Sequence, residues 1–422
     1  MIDMQIMSNI NNNTHIPNLR FSGFEGEWEE KPLSFFLHEH KTKSDGKSEV
    51  HSVSVSKGVI NQVEYLGRSF AASDTSKYNL AKPNDIIYTK SPTGAFPYGI
   101  VKQNKNPYNV IVSPLYAVYT PINKHIGYII DSIFESPVAT NNYLSSLVQK
   151  GAKNTIQISN DTFISKSVCL PTNPAEQKMI ASCLLEIDKL ISAQEQKVVV
   201  LKEKKKGLMQ QLLPLPGETT PRLRFPGFTS EWEVKPLSHF LHEHKTKSDG
   251  KCEVHSVSVT KGVVNQVEYL GRSFAASDTS KYNLAKPGDI IYTKSPTGSF
   301  PYGIVKQNKN PYNVIVSPLY AVYTPVNQYV GYILDSYFES SVNTNNYLSS
   351  LIQKGAKNTI QISNDAFVSK SVCLPMIPAE QQKIAECLES LDSLITAETK
   401  KLESLKSLKK GLMQQLFPQP NK

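Results

Sequence analysis

The sequence contains no apolar run approaching the roughly 18–20 residues that cross a bilayer, although it is 422 residues long. Cysteine is scarce. Cys169, Cys183, Cys252, Cys373 and Cys387 are odd in number and form no CxxC pair, which argues against a disulfide framework and a thiolate zinc site. No glycine-rich G-x-G-x-x-G loop follows a strand pattern, so the chain offers no phosphate cradle for a nucleotide cofactor. The segment from Met1 to Pro17 is polar and Asn-rich, without the apolar stretch of a signal peptide. It reads as a frayed leader, and a cytoplasmic location without membrane attachment is expected.

Hydrophobic residues make up 39% of the chain, enough for folded domains with real cores. The formal charge of +9 and a pI near 9.0 favour a polyanionic partner, without specifying one. The dominant feature is an internal repeat. Leu19 aligns with Leu223, Trp28 with Trp232 and Gly207 with Gly411, at a constant offset of 204. Between Leu37 and Pro121 the copies differ only at positions 48, 56, 60, 84 and 95. A unit of this length is a domain plus a connector rather than a solenoid repeat.

Within each copy the texture changes. From about Trp28 to Leu170, β-branched and aromatic residues alternate with Gly, Pro and Asn. Asp85 to Thr89, Val110 to Val112 and Leu115 to Tyr119 read as short strands between turns. A helix is expected near Asn141 to Gln149, making each domain mixed α/β. Asn84 replaces the glycine found at 288 in the second copy, and asparagine tolerates the same turn.

The pattern then turns helical. Pro174 fits the first helical position and Glu176 favours the dipole there. Ile180, Leu184, Ile187, Ile191, Gln194, Val198, Leu201, Lys205, Leu208 and Leu212 follow at 4-3-4-3 spacing. The second copy repeats the run from Ile384 to Leu416. Four such heptads make a coiled-coil seam. Each helix would pair with the other, parallel or antiparallel; only the antiparallel choice relates the equal halves by a two-fold, as DNA's own dyads would favour.

These residues resemble a known family. Leu170-Pro171, Pro174-Ala175-Glu176-Gln177, Ile180-Ala181, Leu184 and Asp188, repeated from Leu374 to Asp392, are similar to the signature opening the conserved helix of Type I restriction–modification specificity subunits. Lys205-Lys206-Gly207-Leu208-Met209-Gln210-Gln211-Leu212, the run Pro221 to Phe228 before Trp232, and Lys286-Pro287-Gly288-Asp289-Ile290 resemble further family elements. The resemblance implies an α+β chain: two mixed α/β target-recognition domains separated by two long antiparallel coiled-coil helices, pseudo-two-fold symmetric. The expected organisation is leader 1–17, recognition domain 18–172, helix 173–213, linker 214–221, recognition domain 222–376, helix 377–417 and tail 418–422. It further implies a non-catalytic subunit that binds double-stranded DNA and assembles with two methyltransferase subunits and motor-nuclease subunits. S-adenosylmethionine, ATP and magnesium would reside on those partners, with no cofactor or metal on this chain. Because the recognition domains are nearly the same, the two half-sites should be inverted repeats.

Rival readings have weaker support. Asn106-Pro107-Tyr108-Asn109 and its copy at 310–313 superficially match the Asn-Pro-Pro-Tyr motif of stand-alone adenine-N6 methyltransferases, but one proline is missing and a turn suffices. His38-Glu39-His40 and His242-Glu243-His244 could place two imidazoles on one strand face, yet no third zinc ligand has a standard spacing, so each reads as a solvated or phosphate-facing pair. Asp45-Gly46-Lys47 lacks the acidic companion of a nuclease centre and reads as a turn. A structural tandem-repeat scaffold would explain the duplication and helices but not the basic, hydroxyl-rich loops.

DNA contacts call for Lys and Arg on phosphates and for polar side chains at base edges. The candidates are Lys57, Gln62, Arg68, Lys77, Tyr78, Asn79, Lys90, Ser91, Thr93, Lys153 and Asn154. Their second-copy equivalents are Lys261, Gln266, Arg272, Lys281, Tyr282, Asn283, Lys294, Ser295, Thr297, Lys357 and Asn358. Among them, Lys90-Ser91-Pro92-Thr93-Gly94 directly follows a strand, where its glycine would allow close approach to a phosphate. A titration of duplex DNA at increasing salt separates reader from scaffold: binding should weaken steeply with salt, while a scaffold would not bind at any ionic strength.

Overall fold

A strand as uniformly apolar as Ile86-Ile87-Tyr88 must be covered on both faces, because successive side chains point to opposite sides. The computed structural model describes residues 4–6, 15–150, 156–215, 217–354 and 360–418. Two compact units emerge, one of Met1–Glu195 with Lys401–Lys422, the other of Gln196–Lys400. In the first, Ile86–Tyr88 is central to a four-stranded antiparallel sheet ordered Leu37–Glu39, Ala117–Pro121, Ile86–Tyr88, Val101–Gln103. Ile86, Tyr88, Ala117 and Tyr119 enter the larger core. Ile87 and Val118 enter a smaller one with Ala81, Val110 and Val112, which come from the paired strands Asn79–Ala81 and Val110–Val112.

The larger core is ordered by aromatic contacts. Phe163 stacks on Tyr88 at 4.5 Å and 16°, with Tyr119, Phe134 and Tyr143 around it. Helix Lys124–Phe134 buries Ile126, Ile129, Ile130 and Phe134 and is capped by Asn123, whose Oδ1 accepts from the amides of His125 and Ile126. The helix expected over 141–149 instead runs Pro137–Ser145, because Ser136 caps it and Pro137 supplies the fixed first φ. The strand expected from Leu115 begins at Ala117, since Pro114, Leu115 and Tyr116 form a turn. The second unit repeats the sheet with Leu241–Glu243, Ala321–Pro325, Ile290–Tyr292 and Val305–Gln307. Asn84 at φ 73° and Gly288 at φ 88° occupy the same left-handed turn.

Two helices of 39 residues, Pro174–Leu212 and Pro378–Leu416, contribute segments to both units. At 1.5 Å per residue each is about 58 Å long. The residues of the 4-3-4-3 seam are the covered ones: Ile180, Leu184, Gln194, Val198, Lys205 and Leu212 are buried, and Ile187, Ile191, Leu201 and Leu208 half-buried. Ion pairs give the direction. In the first unit Asp188 pairs with Lys409 at 2.7 Å and Glu195 with Lys406 at 2.6 Å. In the second, Lys205 pairs with Asp392 at 2.6 Å and Lys197 with Glu398 at 2.5 Å. Partner numbers fall as the first helix rises, so the segments run antiparallel in each unit.

The Pro-x-Glu-Gln signature fastens each helix start to its domain. Glu176 accepts a fork of hydrogen bonds from Arg20 at 2.7 and 3.0 Å and is approached by Trp28 Nε1 at 3.3 Å. Gln177 donates to Pro171 O at 2.7 Å and accepts from Asn123 at 2.8 Å. Glu380 with Arg224, and Gln381 with Pro375 and Asn327, repeat these bonds.

Candidate nucleic-acid interface

Just past the strand Ile86–Tyr88 the backbone takes an uncommon turn. Lys90 has φ 59° and Lys294 has φ 61°. Left-handed backbone costs a residue with a Cβ about 1–2 kcal/mol. The cause is a close backbone approach. Gly99, at φ +102°, lies so near that a Cβ on it would stand 2.7 Å from Lys90 N. Beyond Lys90 the loop closes on itself, with Thr93 and Phe96 exchanging backbone hydrogen bonds of 3.0 and 2.9 Å. Phe96 is buried as its anchor, and Asn141 Nδ2 donates to Ala95 O at 3.0 Å. Ser91 and Thr93 are left exposed at the tip. Ser295 and Thr297 are exposed in the same way, and Asn345 supports Ser299 O.

The Lys90 side chain faces a cleft of about 360 Å³, lined also by Glu39, His40, Lys41, Lys43 and Leu115. Burial lowers the Lys90 ammonium from its ordinary pKa, and the Glu39 carboxylate opposes that shift. His40 is locked in place. Its Nε2 lies 2.9 Å from Asp85 and its Nδ1 3.1 Å from Thr42. Asp85, itself buried, also accepts from Thr120 Oγ1 and Lys82 N. Lys43 reaches Asn79 Oδ1 at 2.7 Å, and Lys41 is exposed. Leu115, 75% exposed, forms an apolar rim on this basic opening, and Leu319 is equally exposed in the other copy.

The remaining sequence candidates fall into three settings. Lys57, Arg68 and Lys77 are exposed, as are Lys261, Arg272 and Lys281. Lys57 lines a second opening of about 340 Å³ with Lys102, Lys105, Asp131 and Glu135. Arg68 sits 4.5 Å over the ring of Phe70, which is 58% exposed, and Arg272 does the same over Phe274. Gln62 is structural in its contacts: its Oε1 accepts from Phe70 N at 2.6 Å and its Nε2 donates to Ser52 Oγ, with Gln266 repeating both. Tyr78 and Tyr282 accept from Ala72 N and Ala276 N. Asn79 and Asn283 are buried in strands, their amides bonded to Lys43 and Tyr116 O or Lys247 and Tyr320 O. Lys153, Asn154, Lys357 and Asn358 lie outside the described residues.

Only Lys90 and Asn79 among those candidates line the Lys90 cleft. Glu39, Lys41, Lys43 and Leu115 carry no DNA-facing expectation from the sequence, whereas His40 does as one of a solvated or phosphate-facing pair; in the structure Asp85 and Thr42 hold it. Lys41 and Lys43 follow the His-Glu-His run and could have been read as a basic loop. Leu115 could not, since it reads as strand.

The competing motifs have ordinary structural surroundings. Asn106 Nδ2 donates to Val59 O at 3.1 Å and Asn104 Oδ1 at 2.9 Å, so its amide braces a turn. Asp45 Oδ1 accepts from the amides of Lys47 and Ser48, closing an Asx turn. Among the described residues no group of three or more His, Cys, Asp or Glu is arranged to hold a metal, and no helix is long and apolar enough to cross a membrane.

Residues 230–407 match the family model of the Type I restriction modification DNA specificity domain. Between Leu37 and Pro121 the first copy differs from the corresponding part of this segment only at positions 48, 56, 60, 84 and 95. That segment therefore carries a Type I restriction modification DNA specificity domain. The Type I restriction enzyme MjaVIII specificity subunit of Methanocaldococcus jannaschii is 24% identical over 280 residues, 61% of this chain and 63% of that protein. The match thus spans less than two thirds of that relative's length. The crystal structure of the Type I restriction–modification S subunit from M. genitalium has the same fold at a TM-score of 0.58 and 12% identity, covering 96% of this chain and 100% of that one.

The strain at Lys90 makes a stability prediction. Lys90→Gly frees the left-handed backbone but adds unfolded-state entropy, effects of about 1–2 and 0.5–1 kcal/mol. Urea unfolding should show the variant unchanged or up to about 1 kcal/mol more stable. A loss exceeding 1 kcal/mol would mean that the lysine side chain holds the loop together, contrary to its free placement.

Proposed function

We propose that this chain is the non-catalytic DNA-specificity subunit of a Type I restriction–modification complex. Each copy reads one half of a bipartite, inverted-repeat site. Methyltransferase subunits, carrying S-adenosylmethionine, methylate adenine there, and motor-nuclease subunits cut DNA lacking the mark. The observation that carries this reading is the pairing of near-identity with antiparallel helix segments. One reader occurs twice, and the Lys–Asp pairs recur in both units with the helices exchanging roles. One reader used twice, with antiparallel helix segments in each unit, calls for half-sites that are reverse complements. A net charge of +9 supports attraction to duplex DNA.

The long helices set the distance between half-sites. Deleting one heptad from the middle of each helix preserves the seam and shortens it by about 10 Å. That equals about three base pairs at 3.4 Å each. When the variant is expressed with its partner subunits and methylated adenines are mapped, the half-sites should be unchanged and the unspecified spacer shorter. Altered half-sites with the original spacer would contradict this division of labour.

A further inference from the structure

The Lys90 cleft is lined by two opposite charges. Lys90 lines it beside Glu39, yet no ion pair or hydrogen bond closes between them among the described residues. Glu39 Oε1 accepts from Asn160 Nδ2 at 2.6 Å, which orients the carboxylate, and Glu243 is held by Asn364 in the same way. Lys90 is oriented by its left-handed backbone against Gly99. An ammonium and a carboxylate lining one cleft offer a donor and an acceptor to the same ligand, with exposed Leu115 at the rim.

We propose that this pair reads one G·C base pair in each half-site, Lys90 and Lys294 donating to guanine and Glu39 and Glu243 accepting from cytosine. The proposal rests on the DNA-reading function above and names its specificity determinants. In the major groove, guanine presents N7 and O6 as adjacent acceptors, and its paired cytosine presents the N4 amino group as a donor. A lysine beside a glutamate complements that edge. An A·T pair places a donor between two acceptors, so the lysine would meet only one acceptor on the purine. Leu115 excludes water from the contact, which strengthens both hydrogen bonds. Lys41, exposed beside the cleft, is free for the neighbouring phosphate. The backbone strain at Lys90 and Lys294 is then the cost of aiming an ammonium at a base edge.

The test is selection of duplexes from a random-sequence pool by the full chain, purified with the subunits that accompany it. It is repeated with the Lys90→Gly, Lys294→Gly and Glu39→Gln, Glu243→Gln double variants. Glycine accepts the left-handed backbone and glutamine can still accept from Asn160, so both variants should fold, as thermal melting will register. The wild-type pool should contain inverted half-sites with a G·C pair in each. The lysine variant should relax preference at that pair by about ten-fold, leaving other positions within about two-fold. The glutamate variant should change preference at the same position. A wild-type motif retained by both variants, or an A·T pair at the affected position, overturns the assignment while leaving DNA reading intact. A wild-type pool with no common sequence counts against the DNA-reading function itself.

Discussion

The structure depends on a lysine placed where a seam should be apolar. Lys409, near the end of the second long helix, meets Asp188 of the first helix at 2.7 Å and Glu135 of the recognition domain at 2.5 Å. Tyr128 donates to the other Asp188 oxygen at 2.6 Å. Lys205, Asp392 and Glu339 form the same cluster in the second unit. Burial opposes the charge, yet Glu135 and Asp188 hold the Lys409 ammonium above the ordinary lysine pKa, so it stays charged at neutral pH. Such a cluster adds little net stability, because desolvation offsets most of the attraction. Its effect is on register. A slip of one seam position would leave the ammonium facing apolar residues with no counter-ion, and buried polar groups at seam positions specify alignment in this way. Helices of fixed register are a precondition for a spacer of fixed length.

Glu135 carries that constraint into the recognition domain, for it ends the helix whose Ile126, Ile129 and Ile130 pack on the sheet. Asp131 of the same helix accepts from Gln103 N and pairs with Lys105. The sheet is thereby covered on one face by helix and aromatic residues and on the other by the small valine-rich core. Its edges and loops remain for recognition. The cleft lies where strand Leu37–Glu39 ends and the Lys90 turn begins, so rigid elements hold the groups that would meet a base.

Much of this was legible in the sequence. The repeat, the two 39-residue helices and the turn shared by Asn84 and Gly288 follow from periodicity and local conformational rules. The seam positions held by Lys205 and Lys409 stood out as interruptions of an apolar pattern, though nothing local named Asp188 and Asp392 as their partners. The cleft was only partly legible. Lys90 was found because it follows a strand, but Glu39, Leu115 and Asn160 are brought to it by tertiary pairing across 121 positions. Helix Lys124–Phe134 went unread because its Ile-Ile run is equally a strand pattern, and the Asn123 cap decides between them only once the fold is known.

The central claim is one reader used twice on antiparallel supports. It is tested most directly by mapping methylated adenines across the genome of a host expressing this chain with its partner subunits. The account predicts a single bipartite motif whose two specified halves are reverse complements, separated by a constant unspecified spacer. A motif whose halves differ from one another would contradict it.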